Sequence, residues 1–151
     1  MKSLPFAFAL ALGLAFAAPS LAQKPEDKKA PAAAPAQAAG LKDVTPDEAE
    51  KLIAARKDVV VVDVRTPGEF SDGHIAGAKN VSFIDPEFEA KMAELAGQPL
   101  LVHCASGSRS LRAVTKLKAS GKFPEIYHLT SGIMGWEDAG KTIVKTPKAK
   151  E

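Results

Sequence analysis

The sequence of 151 residues predicts an α/β domain built on a largely parallel sheet, preceded by an export leader and a linker. Three observations carry the fold class. Val59-Val60-Val61-Val62 is a run of four β-branched residues, which suits a central strand buried on both faces. Other short apolar runs alternate along the chain with segments of helical periodicity. Helix start and stop signals separate them, among them Thr45-Pro46-Asp47-Glu48, Gly97 and Gly121.

Each element follows in order. Residues 1–22 read as a cleaved secretory signal: Lys2 is the positive start, Leu4 to Ala17 is apolar, and Ser20-Leu21-Ala22 offers small residues before Gln23. Ala15-Phe16-Ala17 offers an earlier cut. The apolar run of about 14 residues falls short of the roughly 20 needed to span a bilayer, and no later stretch is long enough, so no membrane span is expected in the mature form. The short basic start suits a bacterial periplasm. Residues 23–40 hold seven Ala and three Pro, cannot bury enough surface to offset their ordering entropy, and read as a disordered linker.

The domain is expected over 41–151. Thr45 caps a first helix, Pro46 fits its first turn, Glu48 completes the capping box, and Ala49, Leu52 and Ile53 give its buried stripe. The valine strand follows. Residues 80–84 are a second, shorter strand candidate. Asp85-Pro86 opens a second helix through Phe88, Met92 and Leu95, stopped at Gly97. Residues 99–103 are a third strand, and 108–120 a third helix with Leu111, Val114 and Leu117 inward. Residues 125–129 are a fourth strand, and 133–139 a short last helix.

Charge and cysteine content narrow the function. Lys and Arg total 20 against 18 Asp and Glu, and the excess lies in the first forty residues, leaving 41–151 neutral. A neutral domain has no surplus charge for a nucleic-acid backbone, so no nucleic-acid partner is expected. A single cysteine rules out an intrachain disulfide and a four-thiolate metal site, and His74, His103 and His128 lack metal-ligand spacing, so neither metal nor cofactor is expected. No feature fixes an oligomeric state.

The chemistry concentrates at Cys104. It follows a buried strand and precedes Ala105-Ser106-Gly107-Ser108-Arg109 and a helix. In open α/β sheets, ligands bind beyond the carboxyl ends of strands. Small residues let this loop curl, Gly107 can take positive φ, and a loop curling into a helix turns several N–H groups toward one point of positive potential. Arg109 brings a guanidinium to the same region. Such surroundings lower a thiol's pKa. A buried structural cysteine is the bland reading, but an unpaired thiol in an exported protein invites a chemical explanation.

Three stretches together resemble the single-domain rhodaneses, a sulfurtransferase family. They are Asp63-Val64-Arg65-Thr66-Pro67-Gly68-Glu69-Phe70 with Gly73-His74-Ile75-Ala76-Gly77-Ala78; Cys104-Ala105-Ser106-Gly107-Ser108-Arg109-Ser110; and Ser131-Gly132-Ile133 with Trp136. The resemblance covers roughly 41–144. It implies a five-stranded, mostly parallel sheet with helices on both faces. It implies transfer of a sulfane sulfur from thiosulfate or a related donor to a thiol or cyanide acceptor through a persulfide on Cys104. By that resemblance Ala105, Ser106, Gly107 and Ser108 supply amides that cradle the sulfur, and Arg109 closes the loop. Two positions depart from the pattern. Ala105 stands where many members are basic, which weakens attraction for a dianion, and Ser131 stands where glycine is usual.

Other residues read as structural. Asp63 and Arg65 are placed to bond neighbouring loops, Glu69 and His74 to tie down the loop around Gly68 and Gly73, and Trp136 to pack. His103 is a poor general base, because adjacent strand residues point to opposite faces. Two other functions compete. A Cys-dependent phosphatase or arsenate reductase would also use a Cys…Arg loop, but with five intervening residues where this chain has four. A non-catalytic binding module would ordinarily lack the cysteine.

Overall fold

A computed structural model describes residues 40–146. The expected leader, and the linker up to residue 39, lie outside the described residues. The elements are β1 (Gly40–Val44), α1 (Pro46–Ala55), β2 (Val60–Asp63), α2 (Pro67–Asp72), β3 (Lys79–Asn80), α3 (Phe88–Ala93), β4 (Leu100–His103), α4 (Ser108–Ser120), β5 (Glu125–Leu129) and α5 (Gly132–Asp138).

The five strands form one sheet in the order β1-β5-β4-β2-β3, with every neighbouring pair parallel. Both faces are covered, as expected. On one, Val62, Leu100, Val102 and Ile126 pack with Phe88 and Met92 of α3 and Val114 and Leu117 of α4. On the other, Val61, Leu101, Tyr127 and Leu129 pack with Ala49 of α1 and Trp136 of α5. Strand β4 is buried along its whole length. Burial of Leu100, Leu101 and Val102 stabilises by about 1.5–3 kcal/mol each, which fixes the strand end from which Cys104 projects.

Several expectations are corrected. Gly40 belongs to the sheet rather than the linker, since β1 pairs in register with β5 from Gly40↔Glu125 to Val44↔Leu129. This edge strand, Gly-Leu-Lys-Asp-Val, is mostly exposed, so it carries no apolar run to signal it. The strand expected over 80–84 shrinks to Lys79–Asn80. There the Asn80 side-chain amide donates to the carbonyls of Asp63 (3.0 Å) and Arg65 (2.8 Å), and past the short β2–β3 ladder the main chain bonds through Val81 N–H to Asp63 O and Phe83 N–H to Val64 O.

Helix α3 starts at Phe88 rather than at Pro86. Asp85 Oδ1 accepts from the Glu87 amide at 2.9 Å and turns the chain first. The segment around Gly68 is a helix, α2, and not a loop. Leu111 faces outward, 51% exposed, and the inward side of α4 is Ser110, Ala113, Val114 and Leu117.

Candidate active site

Cys104 leaves the end of β4 buried, 1% exposed, and packed with the cluster that includes Val62, Val102 and Val114. The loop then curls back over its sulfur. Gly107 takes φ +92°, which L side chains rarely adopt, and a Cβ there would lie 1.9 Å from the Thr130 carbonyl oxygen. That conformation aims the Gly107 N–H at Cys104 Sγ, 3.2 Å away. Gly107 is also the N-cap of α4, so the sulfur sits at the positive end of a helix of 13 residues.

A second element holds the loop from outside. The amides of Ile133 and Met134, at the start of α5, donate to the carbonyls of Cys104 (2.8 Å) and Ala105 (3.0 Å). Gly132 makes this approach possible, since a Cβ there would lie 2.3 Å from Ala105 O. The Cys104 and Ala105 carbonyls are thus taken up by α5, while the Gly107 N–H is given to the sulfur. Leu111 and Met134, 51% and 56% exposed, stand on the first turns of these two helices.

Burial opposes ionisation of Cys104. The Ser110 hydroxyl and the amides of Ser110, Ser106 and Gly107 outweigh it, and the thiol pKa falls below its ordinary value. Ser110 is a site residue that sequence reasoning missed. Its Oγ lies 3.4 Å from Sγ, and the residue is fully buried in α4. The available signal was a serine on the apolar face of the following helix, six residues after the cysteine.

The sequence-predicted residues divide in their placement. Cys104 and Gly107 come together directly. Ser106 contributes through its amide and is exposed, as is Ser108 at the first turn of α4. Ala105 is half-buried, with its carbonyl in the α5 clasp. Arg109 spends its hydrogen bonds elsewhere: Nη1 donates to Glu69 Oε2 at 2.8 Å and Nη2 to Glu69 Oε1 at 2.6 Å. Glu69 holds the guanidinium pKa above its ordinary value, and the charge of Cys104 adds to this at longer range. Glu69 is also the capping-box residue of α2, where Oε2 accepts from the Thr66 amide (3.1 Å) and hydroxyl (2.8 Å). It therefore does more than tie down its own segment.

The remaining expectations fall on structural contacts. The buried Arg65 guanidinium bonds Asp63 and donates to Gly73 O at 2.6 Å. His74 Nδ1 lies 2.9 Å from Phe70 O. Trp136 is buried and donates to Thr142 O at 3.0 Å. His103 turns toward Asp63, 3.9 Å away, and burial lowers its pKa against the pull of that carboxylate. The Arg112 guanidinium lies 5.3 Å from the Phe83 ring centroid. Among the described residues, no group of three or more His, Cys, Asp or Glu is arranged to hold a metal ion, and no helix is long and apolar enough to cross a membrane.

Comparison with known proteins gives a consistent picture. The model of the rhodanese-like domain family matches residues 45–139. The chain is 36% identical over 90 residues to thiosulfate sulfurtransferase 16, chloroplastic, of Arabidopsis thaliana, covering 52% of this chain and 74% of that protein. It is 34% identical over 93 residues to an uncharacterised protein of Synechocystis sp., covering 60% of this chain and 50% of that one, so it spans about half the length of this relative. The crystal structure of a rhodanese-like domain protein from Staphylococcus aureus aligns with a TM-score of 0.59 at 27% identity, covering 70% of this chain and 98% of that chain.

Proposed function

The chain belongs to the rhodanese-like domain family, and from that premise we propose that it is a sulfurtransferase carrying sulfur as a persulfide on Cys104. The observation that carries the reading is the cradle itself. A single buried thiol of lowered pKa receives the Gly107 amide at 3.2 Å and faces the Ser110 hydroxyl at 3.4 Å, at the amino end of α4. A sulfur that is only 1% exposed favours a donor with a slim terminal atom.

In the proposed reaction the Cys104 thiolate attacks the outer sulfur of thiosulfate. The S–S bond of the donor breaks, and sulfite departs with the bonding electron pair. The persulfide's outer sulfur then carries the negative charge, and the loop amides stabilise it as an oxyanion hole stabilises oxygen. An external thiolate or cyanide attacks that outer sulfur, and Cys104 leaves as the thiolate. The chain has no second cysteine, so the acceptor comes from outside it. Two half-reactions on one nucleophile imply ping-pong kinetics.

The four residues between Cys104 and Arg109 support sulfur transfer over phosphate chemistry, since a loop one residue longer would widen the cradle for a tetrahedral oxyanion. Export through cleavage after Ala22 is part of the proposal and rests on the amino-terminal pattern.

The test is turnover of thiosulfate and cyanide by the purified chain beside turnover of an aryl phosphate, in wild type and Cys104→Ser. Thiosulfate turnover that is lost in the variant, with one sulfur atom added to Cys104 and removed by cyanide in mass spectra, is the expected result. Wild-type sulfur transfer by Cys104→Ser would overturn the mechanism, and aryl phosphate turnover alone would favour the phosphatase. For export, the mature protein should begin at Gln23, and a chain retaining Met1 in the membrane fraction contradicts it.

A further inference from the structure

A continuous line of hydrogen-bonding groups runs from the sheet edge to the sulfur. Asp43 on β1 stands in register with His128 on β5, and Oδ1 of the first lies 3.1 Å from Nδ1 of the second. His128 Nε2 lies 3.0 Å from Ser110 Oγ and 3.3 Å from Gly107 O. Ser110 Oγ in turn lies 2.9 Å from Gly107 O and 3.4 Å from Cys104 Sγ. Both His128 and Ser110 are buried, so water does not supply the bonds these contacts leave unmade.

Proton counting gives this line a direction. An ionised Asp43 only accepts, so the hydrogen between it and His128 belongs to Nδ1. In the neutral ring, Nε2 is then a bare acceptor. The one Ser110 hydrogen has three acceptors within reach, Gly107 O, Nε2 and Sγ, and the sulfur is the most distant. Nε2 also faces the Gly107 carbonyl, acceptor against acceptor. In the imidazolium, Nε2–H donates toward Ser110 Oγ and Gly107 O. That removes one competitor, partly satisfies the other, and releases the Ser110 hydrogen to Sγ.

We propose that His128 is a positioning residue which, anchored by Asp43, aims the Ser110 hydroxyl at the Cys104 sulfur when its ring is protonated and withdraws it when the ring is neutral. The inference rests on Cys104 being the nucleophile, as proposed above. The titratable groups joined to His128 by these contacts are Asp43 from β1 and, through Ser110, Cys104 from the loop after β4. Val102 is the β4 residue in register with it, and α4 presents Ser110. Lys42, next to Asp43, pairs with Glu125 and lies 5.6 Å from the Tyr127 ring centroid.

The test reads the thiol itself and needs no turnover, so it stays separate from the test of sulfur transfer. The rate of Cys104 alkylation by iodoacetamide, with thiolate absorbance alongside, is followed from acid to alkaline pH in wild type, His128→Gln, Ser110→Ala and Asp43→Asn. Wild type should show two inflections, one from formation of the thiolate and a second from the change in its reactivity between the two states of the His128 ring. His128→Gln and Ser110→Ala should each lose the second inflection while the thiol still titrates. Asp43→Asn removes the anionic partner of the imidazolium and should move the second inflection to lower pH. Asp43 has a side chain 68% exposed, so this variant carries the test if His128→Gln does not fold. A single wild-type inflection, a second inflection that survives in His128→Gln or Ser110→Ala, or one unmoved in Asp43→Asn overturns the proposal.

Discussion

Arg109 and Glu69 lie 40 residues apart in sequence and meet as a bidentate pair, with nitrogen to oxygen distances of 2.8 and 2.6 Å. The pair joins the first turn of α4, which follows the sulfur loop, to the first turn of α2, which Glu69 also caps. Hydrogen bonding to Arg109 is the largest influence on Glu69. Together with the Thr66 amide and hydroxyl it outweighs burial and pulls the carboxyl pKa from 4.5 down to about 2. The guanidinium is thus a strut between two helices, and the hydrogen bonds on the sulfur come from elsewhere.

That shift sets a pH window. A depressed carboxyl contributes stability that is fully present above its ordinary value of 4.5 and is lost as pH falls through about 2. Glu69→Gln should therefore be less stable than wild type at neutral pH, with the gap closing in acid between those two values. The side chains are about one-third exposed, so the neutral-pH gap should be no more than about 1 kcal/mol after solvent screening. Urea melts across that range measure it, and a gap that does not change with pH contradicts the assignment.

Gly107 and Gly121 make a matched test of the cradle. Both have positive φ, +92° and +64°, but a Cβ at Gly121 meets nothing within 4 Å, whereas one at Gly107 collides with Thr130 O at 1.9 Å. Gly121→Ala should cost about 1–2 kcal/mol, the conformational penalty alone. Gly107→Ala should cost more than about 3 kcal/mol, because Thr130 main chain must also move. It should also slow Cys104 alkylation by turning the Gly107 amide away from the sulfur. Equal urea midpoints for the two variants would mean that the loop yields easily.

Ser110 makes the thiol more acidic through its side chain as well as its amide. Ser110→Ala keeps the amide and removes the hydroxyl. The thiol pKa should rise, and alkylation below neutral pH should slow several-fold, in keeping with loss of one hydrogen bond worth about 1 kcal/mol. An unchanged alkylation profile would assign the thiol's acidity to the main chain alone.

The parts of the fold legible in the sequence are those where burial and periodicity agree. Helix α4 and strand β5 have the expected bounds, because α4 ends in a left-handed glycine and β5 is buried along nearly its whole length. Helix α2 repeats the Thr-Pro-x-Glu start of α1, and the same capping box forms in both. It was hidden by its length of six residues and by having no buried stripe. Strand β1 was hidden because its pairing depends on the edge of β5 and not on its own side chains. Within the site, Cys104 and Gly107 were legible through local loop chemistry. The links from Glu69 to Arg109 and from Asp43 through His128 to Ser110 span 40 and 85 residues, with 18 more to Ser110, and only the parallel topology brings them together.

Donor preference offers the last prediction. Arg65 and Arg109 are paired with Asp63 and Glu69, and Ala105 adds no charge at the first loop position. A dianion such as thiosulfate thus finds amide dipoles there, with those two cations already paired. Ala105 is half-buried and gives its carbonyl to Met134, a main-chain bond that a larger side chain keeps. Ala105→Lys adds one cation at the first position of the loop. Its attraction for a dianion across solvent is worth about 0.5–1 kcal/mol, so KM for thiosulfate should fall roughly two- to fivefold at low ionic strength with kcat little changed. The gain should shrink as salt is added, and it should be smaller for an alkyl persulfide carrying less charge. Steady-state kinetics with both donors, at low and high salt, decide the matter. An equal gain for the two donors, or a gain indifferent to salt, would mean that Ala105 governs loop shape rather than the field the donor meets.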